Sequence, residues 1–340
     1  MQLRTGVGMW FFETMPRFVD LCRQAEALGY DQIWCANHKL HRDLYVTLTA
    51  AAMATRKTQV GTFIADLYSL HPALVAAAAA TADELSGGRV ILLLGTGGAN
   101  FKEVALERSR PLRTMEEGIE IIRRLFQGET VTFRGQVFST HEARLQFPVR
   151  RDLPIWVATR GDRMYELAGR VADGVMIATY ATPPGVRHAL GLIERGARAA
   201  GRTMKDLTLL TRVDVSVGSS SKEARDAVKP MIAMFLMGSY PDQQFIRHSG
   251  LQVPDELLEV MKAKNEALSL ASGHLVPEEF VDAFAWAGTP DEVARQVAAV
   301  VSLGIPNVCI MPHPPRGQPV EPIMRSFMED VMPRVRRLVG

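Results

Sequence analysis

Short apolar runs and helical stripes alternate along this chain, and that alternation constrains the fold more than any other feature. Residues 3–9 read as a strand, after which Phe18, Leu21, Cys22, Ala25 and Leu28 recur at helical spacing up to Gly29. Further strand-like runs lie at 33–35, 59–64 and 90–94. Helical stretches lie at 46–55 and 73–84, and Met115, Ile119, Ile122 and Phe126 stripe the next helix. The run Val90-Ile91-Leu92-Leu93-Leu94 is apolar at every position, as a strand covered on both faces requires. Repeated β-then-α units favour a parallel sheet. After residue 150 the pattern resumes, with strands at 155–158, 175–179, 207–217 and 307–311. Helices fall at 164–171, 184–200 and 222–237, and Ile323, Phe327, Val331 and Leu338 stripe the last one. Eight such units fit a closed α/β structure, a (β/α)8 TIM barrel, better than an open doubly wound sheet.

Two stretches break the alternation. Residues 128–153 carry two short strand-like runs, at 130–133 and 136–139, around Arg134-Gly135, so a β-hairpin excursion is expected. Residues 238–289 contain Pro241, Pro254 and Pro277 among short apolar segments and read as an insertion before the last unit. With no repeat and no low-complexity linker, residues 1–340 are expected to form a single domain. Barrels of about 250 residues grow to this length by such insertions.

The 39 basic and 37 acidic residues leave a net charge of +2 and no concentrated basic face, so nucleic acid is not an expected partner. Arg334, Arg336 and Arg337 read as the solvated end of a helix. Cys22, Cys35 and Cys309 match neither a CxxC pair nor a zinc pattern, which suits a reducing compartment. The most apolar run, residues 73–82, is too short for a bilayer and is closed by Asp83 and Glu84. No signal-peptide pattern follows Met1. A cytoplasmic protein acting on a small molecule, with no membrane partner, is the expectation.

Chemistry in a barrel gathers at the carboxyl ends of its strands. Asn37 and His38 follow the second strand directly. On the residues alone, His38 serves either as a loop cap or as an acid–base group near neutral pH. Phe63-Ile64-Ala65 ends the third strand. Gly95-Thr96-Gly97-Gly98-Ala99-Asn100 follows the fourth, and its glycines admit either a ligand close to the backbone or a tight turn. It lacks the third glycine of a nicotinamide fingerprint. Thr159-Arg160-Gly161-Asp162 precedes a helix, where free N–H groups favour a phosphate and Arg160 can add charge-assisted bonds. Asp162 is equally a good N-cap. Trp10 and Glu13 follow the first strand, as substrate-facing or as ordinary loop residues. No metal site is expected.

Several strings give these positions a context. They are Asp83-Glu84-Leu85-Ser86-Gly87-Gly88-Arg89, Leu94-Gly95-Thr96-Gly97, Leu167-Ala168-Gly169-Arg170-Val171-Ala172-Asp173-Gly174 and Gly288-Thr289-Pro290-Asp291-Glu292, with Leu153-Pro154-Ile155-Trp156-Val157 after the hairpin. In order and spacing the chain resembles the luciferase-like flavin and deazaflavin oxidoreductases, and in particular the branch of methylene-tetrahydromethanopterin reductases. The resemblance implies an oxidoreductase that passes a hydride between coenzyme F420, a 5-deazaflavin, and a small organic substrate. The alternatives are an FMN-dependent monooxygenase or reductase on the same barrel, or a binding protein without turnover. It implies a homodimer. It implies catalytic roles at His38 and Asn37, where relatives place an Asp-His pair, with Glu13 beside them. It implies cofactor contacts from Phe63, Ile64 and Ala65, with a non-prolyl cis peptide pressed against the ring. Gly95, Thr96, Gly97 and Asn100 would line the cofactor, and Thr159, Arg160, Gly161 and Asp162 would hold its phosphate, although deazaflavin relatives tend to carry proline where Asp162 stands. Pterin-reducing relatives carry a glutamate within the first strand, where this chain has Gly8.

Overall fold

The computed structural model describes residues 3–9, 13–97 and 100–340. In chain order the elements are β1 (Arg4–Met9), α1 (Met15–Ala27), β2 (Gln32–Ala36), α2 (Leu44–Ala54), β3 (Gln59–Phe63), α3 (Pro72–Ser86), β4 (Val90–Leu94), α4 (Pro111–Phe126), β5 (Val131–Arg134), β6 (Ser139–Ala143), β7 (Ile155–Thr159), α5 (Asp162–Val171), β8 (Gly174–Ala178) and α6 (Pro183–Ala199). They continue as β9 (Thr208–Val217), α7 (Ser221–Ser239), α8 (Gln244–His248), α9 (Asp255–Ala263), α10 (Glu266–Ala271), α11 (Glu278–Phe284), β10 (Ala285–Gly288), α12 (Pro290–Val301), β11 (Asn307–Pro312), α13 (Glu321–Ser326) and α14 (Met332–Val339). Hydrogen bonds order the strands β9-β11-β1-β2-β3-β4-β7-β8, and β8 pairs back onto β9. The eight strands close into the expected parallel (β/α)8 barrel.

The chain divides into two compact units, one of Gly8–Met176 and Leu192–Leu209, the other of Met1–Val7, Ile177–Gly191 and Leu210–Gly340. In the first unit, β2, β3, β4 and β7 run parallel. Trp34 on β2 meets Trp156 on β7 with ring centroids 5.5 Å apart, although β3 and β4 stand between those strands in the sheet. The two indoles therefore face inward and fill the barrel. Neighbouring strands must make room for them. A Cβ at Gly61 would lie 2.4 Å from the Trp34 ring, and one at Gly174 would lie 2.6 Å from that of Trp156.

Several of the strings that carry the family resemblance prove to be staples of this unit. Gly87 ends α3 in the left-handed conformation, at φ 71°. Asp83 accepts the N–H of Val90 at 3.0 Å and the guanidinium of Arg150 at 2.8 and 2.9 Å. Arg89 reaches the carbonyls of Ala52, Thr55 and Thr58. Asp173 accepts the N–H of Ile155 at 2.9 Å, tying the end of α5 to the start of β7. Gly169 lets α5 touch α6, since a Cβ there would lie 2.1 Å from the Ile193 oxygen.

In the second unit, β11 pairs parallel with both β1 and β9. Thr289 and Glu292 form a reciprocal cap on α12. Asp214 on β9 is fully buried and accepts both terminal nitrogens of Arg212, at 2.7 and 2.9 Å, and Nε2 of His313, at 2.6 Å. Burial pushes its carboxyl upward, but the Arg212 guanidinium and His313 outweigh it and hold the pKa below the ordinary value.

Two details depart from the sequence reading. The stretch 238–289 contains a ninth parallel strand, β10, besides α8 to α11. Asp214 and Val215 pair with both β10 and β11, so these two strands take opposite edges of β9. Four residues reading Ala-Trp-Ala-Gly are too short to show a period. In the hairpin, the second arm begins at Ser139 rather than at residue 136. Glu117 of α4 accepts the N–H groups of Gln136, Val137 and Phe138 at 2.8–3.0 Å, which takes those donors out of the ladder.

Candidate active site

Apart from Trp10 and Glu13, which follow β1 in sequence, the sequence-expected residues lie in the first unit, on the loops that leave β2, β3, β4 and β7 at their carboxyl ends. Trp10, Gly98 and Ala99 fall outside the described residues. The peptide joining Phe63 to Ile64 is cis, as the resemblance implied. Phe63 and Ile64 are both partly exposed at the strand end, unlike the buried residues before them.

Backbone bonds weave three of these loops together. The N–H of Asn37 donates to the Phe63 carbonyl at 2.8 Å, and its side-chain Nδ2 donates to the Ile64 carbonyl at 3.0 Å. The N–H of Ala65 donates to Leu93, and that of Gly95 returns to Ala65, at 3.0 and 3.1 Å. Gly95 and Gly97 are glycines of necessity. A Cβ at Gly95 would lie 2.8 Å from the Ile64 side chain, and one at Gly97 would lie 2.8 Å from the Phe101 ring, at a φ of 64°. Asn100 also has positive φ, 55°, and its Oδ1 is buried with no hydrogen-bond partner among the described residues.

His38 is mostly buried. Burial, then the nearby His41 and the Lys39 ammonium, push its pKa down to about 3. The imidazole is therefore neutral across the physiological range and offers one N–H and one lone pair. At β7, the Thr159 hydroxyl accepts the Gly161 N–H at 3.0 Å, and Gly161 caps α5 with Asp162 in its first turn. Glu13 stands apart. It is half-buried before α1, and no hydrogen bond or ion pair joins it to these loops among the described residues.

Residues that the sequence reading did not single out complete the cluster. The Lys39 ammonium donates to Asp66 at 2.9 Å and lies 3.9 Å above the Phe101 ring centroid. Asp66 also accepts the N–H groups of Tyr68 and Ser69 and the Ser69 hydroxyl. The available signal was position alone. Lys39 and Asp66 each directly follow a residue already singled out.

A parallel barrel with polar and titratable side chains gathered on the loops at its strand ends defines a class, and comparison with known proteins narrows it. The luciferase-like monooxygenase family model matches residues 2–307, and the chain belongs to that family. It is 32% identical to the 5,10-methylenetetrahydromethanopterin reductase of Methanolobus tindarius, over 93% of this chain and 94% of that one. Among solved structures, the coenzyme F420-dependent tetrahydromethanopterin reductase of Methanopyrus kandleri superposes with a TM-score of 0.87. That match is at 24% identity and covers 98% of this chain and all of the other. An F420-dependent secondary alcohol dehydrogenase, solved with an F420–acetone adduct, gives 0.82 at 21% identity over 99% of this chain and all of that one.

Proposed function

We propose that this chain is an F420-dependent oxidoreductase acting on a small organic substrate. The observation that carries the reading is the single hydrogen-bonded sheet of loops formed by Asn37, Phe63, Ile64, Ala65 and Gly95, which presents apolar surface and a neutral imidazole together. A bound deazaflavin supplies or accepts a hydride at its C5.

The chain's own residues do the rest. Phe63, Ile64 and Ala65 offer a surface for a flat ring. Gly95 and Gly97 keep the adjoining loop free of side chains, and Thr96 and Asn100 offer polar atoms beside it. The buried, unpartnered Oδ1 of Asn100 fits an N–H or hydroxyl of such a ligand, because a buried acceptor without a partner is costly. At the start of α5, the first-turn N–H groups and Arg160 suit the cofactor phosphate. Asp162 stands in the same turn, and its carboxylate must turn away from the phosphate or be offset by Arg160 or Arg163. His38 is the group placed to handle the proton that accompanies hydride transfer, its neutral imidazole hydrogen-bonding the oxygen of an alcohol or a carbonyl.

The test is a titration with F420, FMN and their reduced forms. F420 is expected to bind more tightly, and tighter FMN binding overturns the assignment in favour of a flavin monooxygenase or reductase. Bound cofactor that never changes redox state with any substrate would indicate a binding protein.

The enzyme is proposed to be a cytoplasmic homodimer. Cys22, Cys35 and Cys309 are all free and buried, which suits a reducing compartment, and no described helix is long and apolar enough to cross a membrane. Val46 and Met53, seven residues apart on α2, and Leu74 and Leu85 on α3 expose apolar side chains, Met53 at 67%. The two helices pack against each other, and an exposed apolar patch across them would mark an interface. Light scattering behind a sizing column gives the mass, and a monomer at micromolar concentration removes the dimer.

A further inference from the structure

Lys39 and Asp66 are a buried ion pair beside the candidate catalytic histidine, and their side chains are 10% and 1% exposed. Withdrawing two opposite charges from water is expensive, so a pair this deep persists only where its geometry and remaining bonds are satisfied. Here they are. Asp66 receives the Lys39 ammonium on Oδ2, and Oδ1 receives Tyr68 N–H, Ser69 N–H and the Ser69 hydroxyl at 2.8–3.1 Å. The ammonium also caps the Phe101 ring face, a favourable cation–π arrangement. Phe101 in turn packs against Gly97, where no side chain larger than hydrogen fits.

The pair therefore spans three loops. Lys39 belongs to the loop after β2, Asp66 to the loop after β3, and Phe101 and Gly97 to the loop after β4. On its own loop, Lys39 adopts a left-handed backbone, φ 33°, that a non-glycine residue rarely takes, and its N–H donates to Asn37 Oδ1 at 3.2 Å. His38 lies between these two anchored residues, and its carbonyl accepts the His41 N–H at 3.0 Å.

We propose that Lys39 and Asp66 are positioning residues, whose buried ion pair on the Phe101 ring locks the loop of Asn37 and His38 against the loops after β3 and β4 and so holds the His38 imidazole in one orientation. The proposal rests on the reading that His38 handles the proton of the F420 reaction. Among the described residues, Lys39 and His41 are chargeable groups whose fields reach His38, with the Asp66 carboxylate behind Lys39.

Three variants test it. Lys39→Met breaks the pair. Lys39→Met/Asp66→Asn removes both charges, so it leaves no buried unpaired ion and keeps the fold if the single variant does not. Lys39→Arg preserves the charge and the stacking. In apoprotein carrying 15N-labelled histidine, wild-type His38 is expected to show the shifts of one fixed neutral tautomer. The Lys39→Met and double variants are expected to average two tautomers, and Lys39→Arg to stay near wild type. In the F420-loaded enzyme, the first two should lose about 10- to 100-fold in kcat, the scale of a small misplacement of a reacting group, while KM and cofactor Kd move less than about threefold. An unchanged tautomer pattern in the double variant overturns the proposal whatever the activity. So does a kcat within threefold of wild type. If F420 is not the cofactor, the wild type itself fails to turn over, while the NMR arm still decides the role of the pair.

Discussion

The Nδ2 of Asn37 donates to the Ile64 carbonyl at 3.0 Å while its Oδ1 accepts the Lys39 N–H at 3.2 Å. Both polar atoms of the amide are thus engaged by backbone, one on the neighbouring strand end and one on its own loop. The amide therefore braces the site floor, whatever part it takes in the chemistry. Asn37→Ala should leave a partly buried carbonyl and N–H unpaired and destabilise the chain by about 1–3 kcal/mol. Urea unfolding measures this, and a change below about half a kcal/mol would show the brace to be dispensable.

The architecture was legible because its signals are periodic. Val90–Leu94 is apolar throughout and is β4 to the residue, and the eight βα units follow from such runs. Of the strings that announced the family, those holding Asp83 and Asp173 are fold staples that speak for the barrel, whereas Leu94-Gly95-Thr96-Gly97 leads into the candidate site. The site was legible only as loop positions. Nothing local marks Lys39 and Asp66 as partners, because the bond joins residues 27 apart through the β2–β3 pairing. The strand β10 was invisible for the opposite reason, being too short for any pattern.

Gly161 caps α5 with an ordinary φ of −93°, and a Cβ there would meet nothing nearer than the Thr159 hydroxyl at 4.0 Å. Gly161→Asp is therefore sterically free, and an N-cap aspartate is at least as stabilising as glycine. Its carboxylate would repel a phosphate at the same helix start. Cofactor Kd should rise about tenfold or more with thermal stability unchanged or slightly higher. Calorimetry showing unchanged affinity in the folded variant would remove the phosphate assignment.

Acid stability should trace to the other end of the barrel. Glu26, in α1, accepts the N–H groups of Arg56, Lys57 and Thr58 just before β3. Burial opposes its ionisation, but the bonds from Lys57, Thr58 and Arg56 outweigh it and bring the pKa down to about 2. The stability it contributes is fully present above pH 4.5, its unfolded value, and is lost as pH falls toward 2. Glu26→Gln should cost about 1–2 kcal/mol at pH 7, less than the full shift implies because the group is part-exposed. It should also flatten the pH dependence of stability between those limits and leave kcat alone. Equal slopes in both proteins would contradict this.

Turnover of a methylene-tetrahydropterin should be weak. Position 8 on β1 is a glycine, so this strand lacks the carboxylate that the resemblance associates with pterin reduction. Glu13 does not replace it, since it sits beyond the strand and outside the network of strand-end loops. A kcat in the ordinary enzyme range, about 1–10³ per second, with that substrate would refute the expectation.

His38→Ala should lower turnover by about 10² to 10⁴, the usual cost of losing a positioned acid or base, while cofactor Kd changes only a few-fold. The division follows from position. His38 follows β2, whereas the phosphate and ring contacts are assigned to the loops after β3, β4 and β7. Because burial, His41 and Lys39 push its pKa to about 3, His38 stays neutral at every practical assay pH. The rate of the wild type should then show no limb near pH 6.5 that disappears in the variant. Stability should show one, because the unfolded chain binds a proton at about pH 6.5 that the folded imidazole refuses. Acidification from about pH 6.5 toward 3 therefore favours unfolding, and His38→Ala should soften that loss. Single-turnover rates and denaturation measured across pH 4–8 on both proteins decide the matter. A rate within a few-fold of wild type would make His38 structural and leave the proton to water.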